Sequence, residues 1–185
     1  GSIIYYLLVR KVQNLGVDQW VYMAANSIVP TLFFFFESLA TESTLAMSSL
    51  GFLLVIFHAI VLNYFGSIAG FNGIKDAPNS GYSVIIQKSY AIWTSLASVL
   101  LFNSELPMHK VIAIAVIILF TSIKKKKKNG KGFTVGKWFW SSLLAFFLFG
   151  GTTISVKYVQ MIGDSPTVFI FWVLLITSFI SIVEY

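Results

Sequence analysis

The chain has no cysteine, which removes disulfides and thiolate metal sites and leaves the compartment open. Charge is nearly as scarce: Asp, Glu, Lys and Arg make up 11% of the residues, against about 25% in a soluble domain. The acids are Asp18, Glu37, Glu42, Asp76, Glu105, Asp164 and Glu184, each in a polar break or at the end of an apolar run. The two histidines, His58 and His109, stand in different segments, and neither H-E-x-x-H nor G-x-S-x-G occurs. An enzyme working inside a membrane needs converging His, Asp or Glu side chains or a metal. Catalysis, a cofactor and a metal site are therefore not expected.

What is present is apolar. Hydrophobic residues make up 57% of the chain and its mean hydropathy is +0.82. A chain of 185 residues cannot hide that much apolar surface in its own core. Runs of roughly 17 to 25 apolar residues recur between short breaks, as membrane helices require, without the alternation of a membrane β-barrel strand. Seven spans are expected: a stub at Ser2–Val9, then Gln19–Phe36, Leu45–Ala69, Ser80–Phe102, a short one at Pro107–Ile123, Lys137–Tyr158, and one from Pro166 onward. The breaks "NLGVDQ", "GFNGIKDAPNSG", "NSELP" and "MIGDSP" carry turn chemistry. The expected fold class is all-α, a polytopic membrane helix bundle.

Basic residues orient that bundle. Ten of the thirteen (Arg10, Lys11, Lys75, Lys124 to Lys128, Lys131 and Lys137) fall on one side of the expected topology, and Lys110 and Lys157 on the other. The positive-inside rule places the Lys124 loop in the cytoplasm. That run reads as a topology anchor, or as a contact for anionic lipid headgroups. No pattern of aromatic or Arg contacts accompanies it, so nucleic acid is not an expected partner.

The thirteenth cation is Lys88, in "APNSGYSVIIQKSYAIWTSLASVLLF", residues 77–102. It lies eight residues beyond Ser80, about 12 Å along a helix, near the middle of a hydrocarbon core about 30 Å thick. A charge there is costly and marks a functional site by default. On a continuous helix Gly81, Lys88, Ala91, Ser95 and Ser98 share a face, with Gln87 and Thr94 beside it. Lys88, Gln87, Thr94, Tyr90 and Trp93, with Asn63 of the preceding span, are the candidate solute-binding residues. The bland reading is a snorkelling or structural lysine, interhelical hydrogen bonding by Asn63 and ordinary packing by the aromatics. Gly66 and Gly70 form a G-x-x-x-G step suited to close helix contact. Gly150 and Gly151, in the middle of the sixth span, mark close packing or a hinge. His58 reads as a packing residue, and Trp138 and Trp140 as an interfacial belt.

The chain also repeats. With Lys11 laid on Tyr158, "KVQNLGVDQWV" covers "YVQMIGDSPTV", and Val12, Gln13, Gly16 and Val21 match Val159, Gln160, Gly163 and Val168. Arg10 falls on Lys157 and Glu37 on Glu184. Five spans separate the copies, so they would cross the membrane in opposite directions, as inverted-topology transporter repeats do.

"APNSGYSVIIQKSYAIWTSLASVLLFNSELPMHKVIAIAVIIL" resembles the end of an EamA-type repeat of the drug/metabolite transporter superfamily, and "ISVKYVQMIGDSPTVFIFWVLLITSF" resembles the start of a second one. The resemblance covers nearly the whole chain. It implies two five-helix repeats, ten spans in all. Residues 1–123 would be a first repeat truncated at its N-terminus, 124–136 a basic loop, and 137–185 the start of a second repeat truncated at its C-terminus. The function implied is secondary transport of small polar metabolites by alternating access, from a multi-pass position in the plasma (inner) membrane. Its expected partners are the lipid bilayer and a small-molecule solute, and a homodimer is compatible with it. The readings from other classes are a scaffolding membrane protein and an intramembrane enzyme.

Overall fold

The computed structural model describes residues 9–41, 44–103, 112 and 136–185. Every regular element among them is helical. A short helical segment, α1 (9–14), precedes α2 (Gln19–Ala40), α3 (Ser49–Asp76), α4 (Ser80–Phe102), α5 (Lys137–Met161) and α6 (Pro166–Val183). The last five are long and apolar enough to cross a membrane, which marks the chain as a membrane protein. The expected stub up to Leu8, nearly all of the short span at Pro107–Ile123 and the lysine-rich loop lie outside the described residues.

Most of the long helices start where a side chain can take up a free backbone N–H. Asp18 accepts from Trp20 N at 2.7 Å for α2, Ser48 Oγ accepts from Gly51 N at 3.0 Å for α3, and Asn79 accepts from Gly81 N at 2.9 Å for α4. Ser165 caps α6, with Pro166 in its first turn. At its far end α4 stops on Asn103, the one described non-glycine residue with a positive φ, 46°.

The helix directions follow from the contacts. α6 runs parallel to α3: Asp164 meets Ser48 at one end, and Asn63 Nδ2 donates to Thr177 Oγ1 at 3.0 Å farther along. α5 runs antiparallel to α3, with Ser142 beside Gly73, Phe149 beside Gly66 and Gly70, and Leu62 beside Gly151. α4 is parallel to α5, because Ser83 touches Ser142 and Trp93 reaches Gly150. α2 packs broadly on α6, with the Phe35 and Phe171 rings 5.7 Å apart, while its start lies beside the last turns of α3, with Tyr22 and Phe71 5.4 Å apart. The apolar core lies where α3, α5 and α6 meet, and is made of Val55, Ala59, Val159, Phe169 and Val173.

The two copies of the sequence repeat fold into the same turn. Val17 N donates to Val12 O at 3.4 Å and Gly16 N to Gln13 O at 3.1 Å. In the second copy Asp164 N donates to Val159 O at 3.2 Å and Gly163 N to Gln160 O at 3.3 Å. This is the Schellman pattern, whose C′ residue must adopt the left-handed conformation open to glycine; φ is 74° at Gly16 and 86° at Gly163. The turns sit at opposite ends of α3. At the first, Arg10 Nη1 donates to Ile74 O at 3.1 Å and Gln13 Nε2 to Phe71 O at 3.0 Å. At the second, Asp164 accepts from Ser48 N at 3.0 Å and from Ser48 Oγ at 2.6 Å.

Candidate functional site

Two of the five long helices, α3 and α4, depart from regular α-helix in their middle turns, and α2 and α5 carry residues there that disfavour helix while remaining continuous. In α2, Pro30 removes the N–H that would have bonded the Asn26 carbonyl. In α3, residues His58–Tyr64 form a π-helix, carrying Asn63, a widening found frequently at functional sites. In α4 the helix breaks at Ser89, where Ser89 Oγ turns back onto Ile85 O at 2.7 Å. Such back-bonding bends helices. In α5, Gly150 and Gly151 stand together, and both are closely filled by neighbours.

A cavity of about 230 Å³ opens beside these positions. Its wall includes Asn26 and Ser27 from α2, Asn63 and Ser67 from α3, Lys88 and Tyr90 from either side of the α4 break, and Phe149 and Thr152 from α5. Among the described residues that line it, Lys88 is the single cation and no carboxylate is present. Lys88 Nζ lies 5.8 Å from the centre of the Tyr90 ring, within cation–π range.

Of the candidate residues read from sequence, Lys88, Gln87, Asn63 and Tyr90 come together at this cavity, and Trp93 and Thr94 do not. Thr94 is buried and bonds back to Tyr90 O at 3.1 Å. Trp93 turns toward α5, where its indole fills the notch left by Gly150 and its Nε1 donates to Phe146 O at 3.4 Å. Helical spacing is the physical reason: Trp93 lies about 140° round from Lys88 and Thr94 about 120° round the other way, so both stand off the face that Lys88 presents to the cavity.

Gln87 touches the cavity but is 1% exposed. Its amide donates to Gly70 O at 3.1 Å and to Ser83 Oγ at 2.8 Å, so both protons are already spent. Ser83 Oγ and Ser142 Oγ share a hydrogen bond of 2.7 Å, and Ser142 Oγ donates to Trp138 O at 2.7 Å. This buried polar chain joins α3, α4 and α5 beside the cavity. Gly73 makes it possible, since a Cβ there would come within 2.7 Å of Ser142 Oγ and 2.9 Å of Ser83 Oγ. Gly66 and Gly70 instead admit the Phe149 ring, which would lie only 3.2–3.4 Å from a methyl group at either position.

Sequence reasoning passed over Ser83, Ser142, Asn26 and Ser27. Ser83 stands one helical turn before Gln87, the spacing at which two polar side chains meet. Pro30 points at Asn26 by the same local arithmetic. Trp138 departs from the expected interfacial belt: it is 4% exposed, tilted against Tyr82, whereas Trp140 is 63% exposed. His58 is buried edge-on to Phe169, with ring centres 5.1 Å apart, and its Nδ1 has no hydrogen-bond partner among the described residues.

Comparison with protein-family models, with curated proteins and with solved structures gives no match to this chain.

Proposed function

We propose that this chain belongs to a secondary transporter that moves small polar metabolites by alternating access, of the EamA-like kind its sequence resembles, in the plasma (inner) membrane. The observation that carries this reading is the central cavity, walled by side chains of five membrane-length helices, with Asn63 from the π-helix of α3 and Lys88 and Tyr90 from either side of the interruption in α4. Irregular backbone is tolerated at membrane depth where it lines a cavity, and transporters bind solute there on discontinuous helices. Lys88 supports it further. A lysine at mid-bilayer costs about 2.5–3.5 kcal/mol or more on insertion, a cost with a purpose if the side chain faces solute.

The matching turns at Gly16 and Gly163 support inverted-topology repeats. They lie at opposite ends of α3, and the helices that follow them, α2 and α6, pack together in opposite directions. Two such repeats of five helices make ten spans, with the Lys124 loop cytoplasmic. No enzyme activity is assigned. The alternative is a scaffolding membrane protein, compatible with a homodimer, and it predicts no solute flux.

The test is uptake by vesicles from cells expressing the full-length protein, offered a defined mixture of labelled amino acids, purines, sugars and nucleotide-sugars. We expect a subset to accumulate, and accumulation to fall about tenfold or more with Lys88→Met at equal protein level. Absence of uptake for every solute would favour the scaffold.

A further inference from the structure

We infer that the central cavity takes a small organic anion, held by its carboxylate against Lys88. This deepens the transporter reading and rests on it only for what happens to the solute after binding.

Three observations on the wall of the cavity converge. The first is charge. Lys88 brings a positive charge to a site whose described lining has no acid. Arg10, the cation at the neighbouring end of α3, holds the carbonyls of Ile74 and Ala77 at 3.1 and 3.4 Å and does not line the cavity. A carboxylate entering the cavity therefore meets an ammonium in a setting of low dielectric, where a charge-assisted hydrogen bond is strong. A cationic solute would meet a like charge with no carboxylate on the described wall to offset it.

The second is the remaining polar lining. Asn26, Ser27, Asn63, Ser67 and Thr152 are neutral, and several already turn their donors elsewhere. Ser27 Oγ donates to Met23 O at 2.9 Å, Thr152 Oγ1 to Phe149 O at 2.6 Å, and Asn63 Nδ2 to Thr177 Oγ1 at 3.0 Å. Gln87 has spent both protons. As the one charged group on the described wall, Lys88 is the group that can distinguish an anion from its neutral isostere. Phe149, Phe71 and Leu174 supply an apolar wall for the rest of the solute.

The third is size. A cavity of about 230 Å³ lies below the roughly 300–1,000 Å³ of sites for drug-sized ligands. It suits a single ring or a short chain bearing one carboxylate.

The experiment is equilibrium binding of labelled probes to the detergent-purified full-length protein, using carboxylates paired with their amides: benzoate with benzamide and nicotinate with nicotinamide. Losing one charge-assisted hydrogen bond corresponds to about ten- to a hundredfold in affinity. We expect at least one carboxylate to bind about tenfold or more tightly than its amide, and Lys88→Met to abolish that difference while leaving amide binding in place. Lys88→Arg should restore part of it, because the guanidinium keeps the charge but not the shape. Equal binding of acid and amide by the unaltered protein, a preference that survives Lys88→Met, or binding of neither member of any pair would overturn the assignment. A fatty acid carries the same headgroup, so oleate is included; retention of oleate in preference to benzoate would overturn the small-solute part. Carboxylate binding that meets these expectations without vesicle uptake would leave the site standing and remove transport.

Discussion

The two halves of α3 are built for different purposes. Its first half is dry: Val55 and Ala59 are fully buried against Val159, Phe169 and Val173, and the end is tied down by Asp164 on Ser48. Its second half is polar and glycine-rich. Asn63 and Ser67 line the cavity, while Gly70 and Gly73 make room for the Gln87–Ser83–Ser142 chain. The π-helix His58–Tyr64 spans the boundary, with Ala59 on the dry side and Asn63 on the polar side. Burial of large apolar groups is difficult to rearrange, whereas hydrogen bonds between helices in membranes average only about 0.6 kcal/mol. A membrane protein that must open and close a cavity gains by keeping one half of a helix fixed and the other exchangeable.

The largest expected effect is in the dry half. Phe169→Ala should cost about 3–5 kcal/mol, since it leaves a hole at 0% exposure in close-packed surroundings. Denaturation in mixed micelles measures it. A loss below about 1 kcal/mol would erase the contrast between the halves.

A smaller loss is expected at the notch. Gly150→Val drives a side chain into the Trp93 indole and should cost about 1–3 kcal/mol through overpacking. Trp93 emission should shift as the indole leaves its seat. Unchanged emission in a variant that also lacks the other four tryptophans would show that the indole is seated elsewhere. The smallest effect belongs to the polar half: Asn63→Ala removes the bond to Thr177 Oγ1 and should cost about 0.6 kcal/mol, at most about 1.7 kcal/mol. A cost as large as that of Phe169→Ala would make the polar half as rigid as the dry one.

Much of this plan is legible in the residues, and what is not has several causes. The span Ser80–Phe102 is readable with both of its ends, because Asn79 caps one and the polar Asn103 closes the other. The Gly16 and Gly163 turns are marked by a repeat that places glycine where a left-handed residue is required. The spans at α2, α3 and α5 extend a few residues beyond the apolar runs, to Ala40, Asp76 and Met161, since a helix continues into its polar last turn. Part of what stays hidden is departure from 3.6 residues per turn: a fixed period cannot foresee the π-helix around Asn63 or the interruption at Ser89. Trp93 and Thr94 miss the cavity wall for a simpler reason, since they stand about 140° and 120° round the helix from Lys88. Trp138 is misplaced for another reason: its position near a span end fits an interface, but Tyr82 and the start of α4 cover it.

The contacts between α4 and α5 have a mechanical consequence. Ser83 is pinned to Ser142, and Trp93 to the groove at Gly150, one pin on each side of the break at Ser89. A third pin, Gln87 Nε2 on Gly70 O at 3.1 Å, ties the same helix to α3 from another side. Three pins that share no line hold a rod against rolling as well as sliding. Lys88 follows the third pin directly, so its backbone is fixed, and the reach of its ammonium across the cavity comes from its flexible four-carbon stem and not from a movement of the helix.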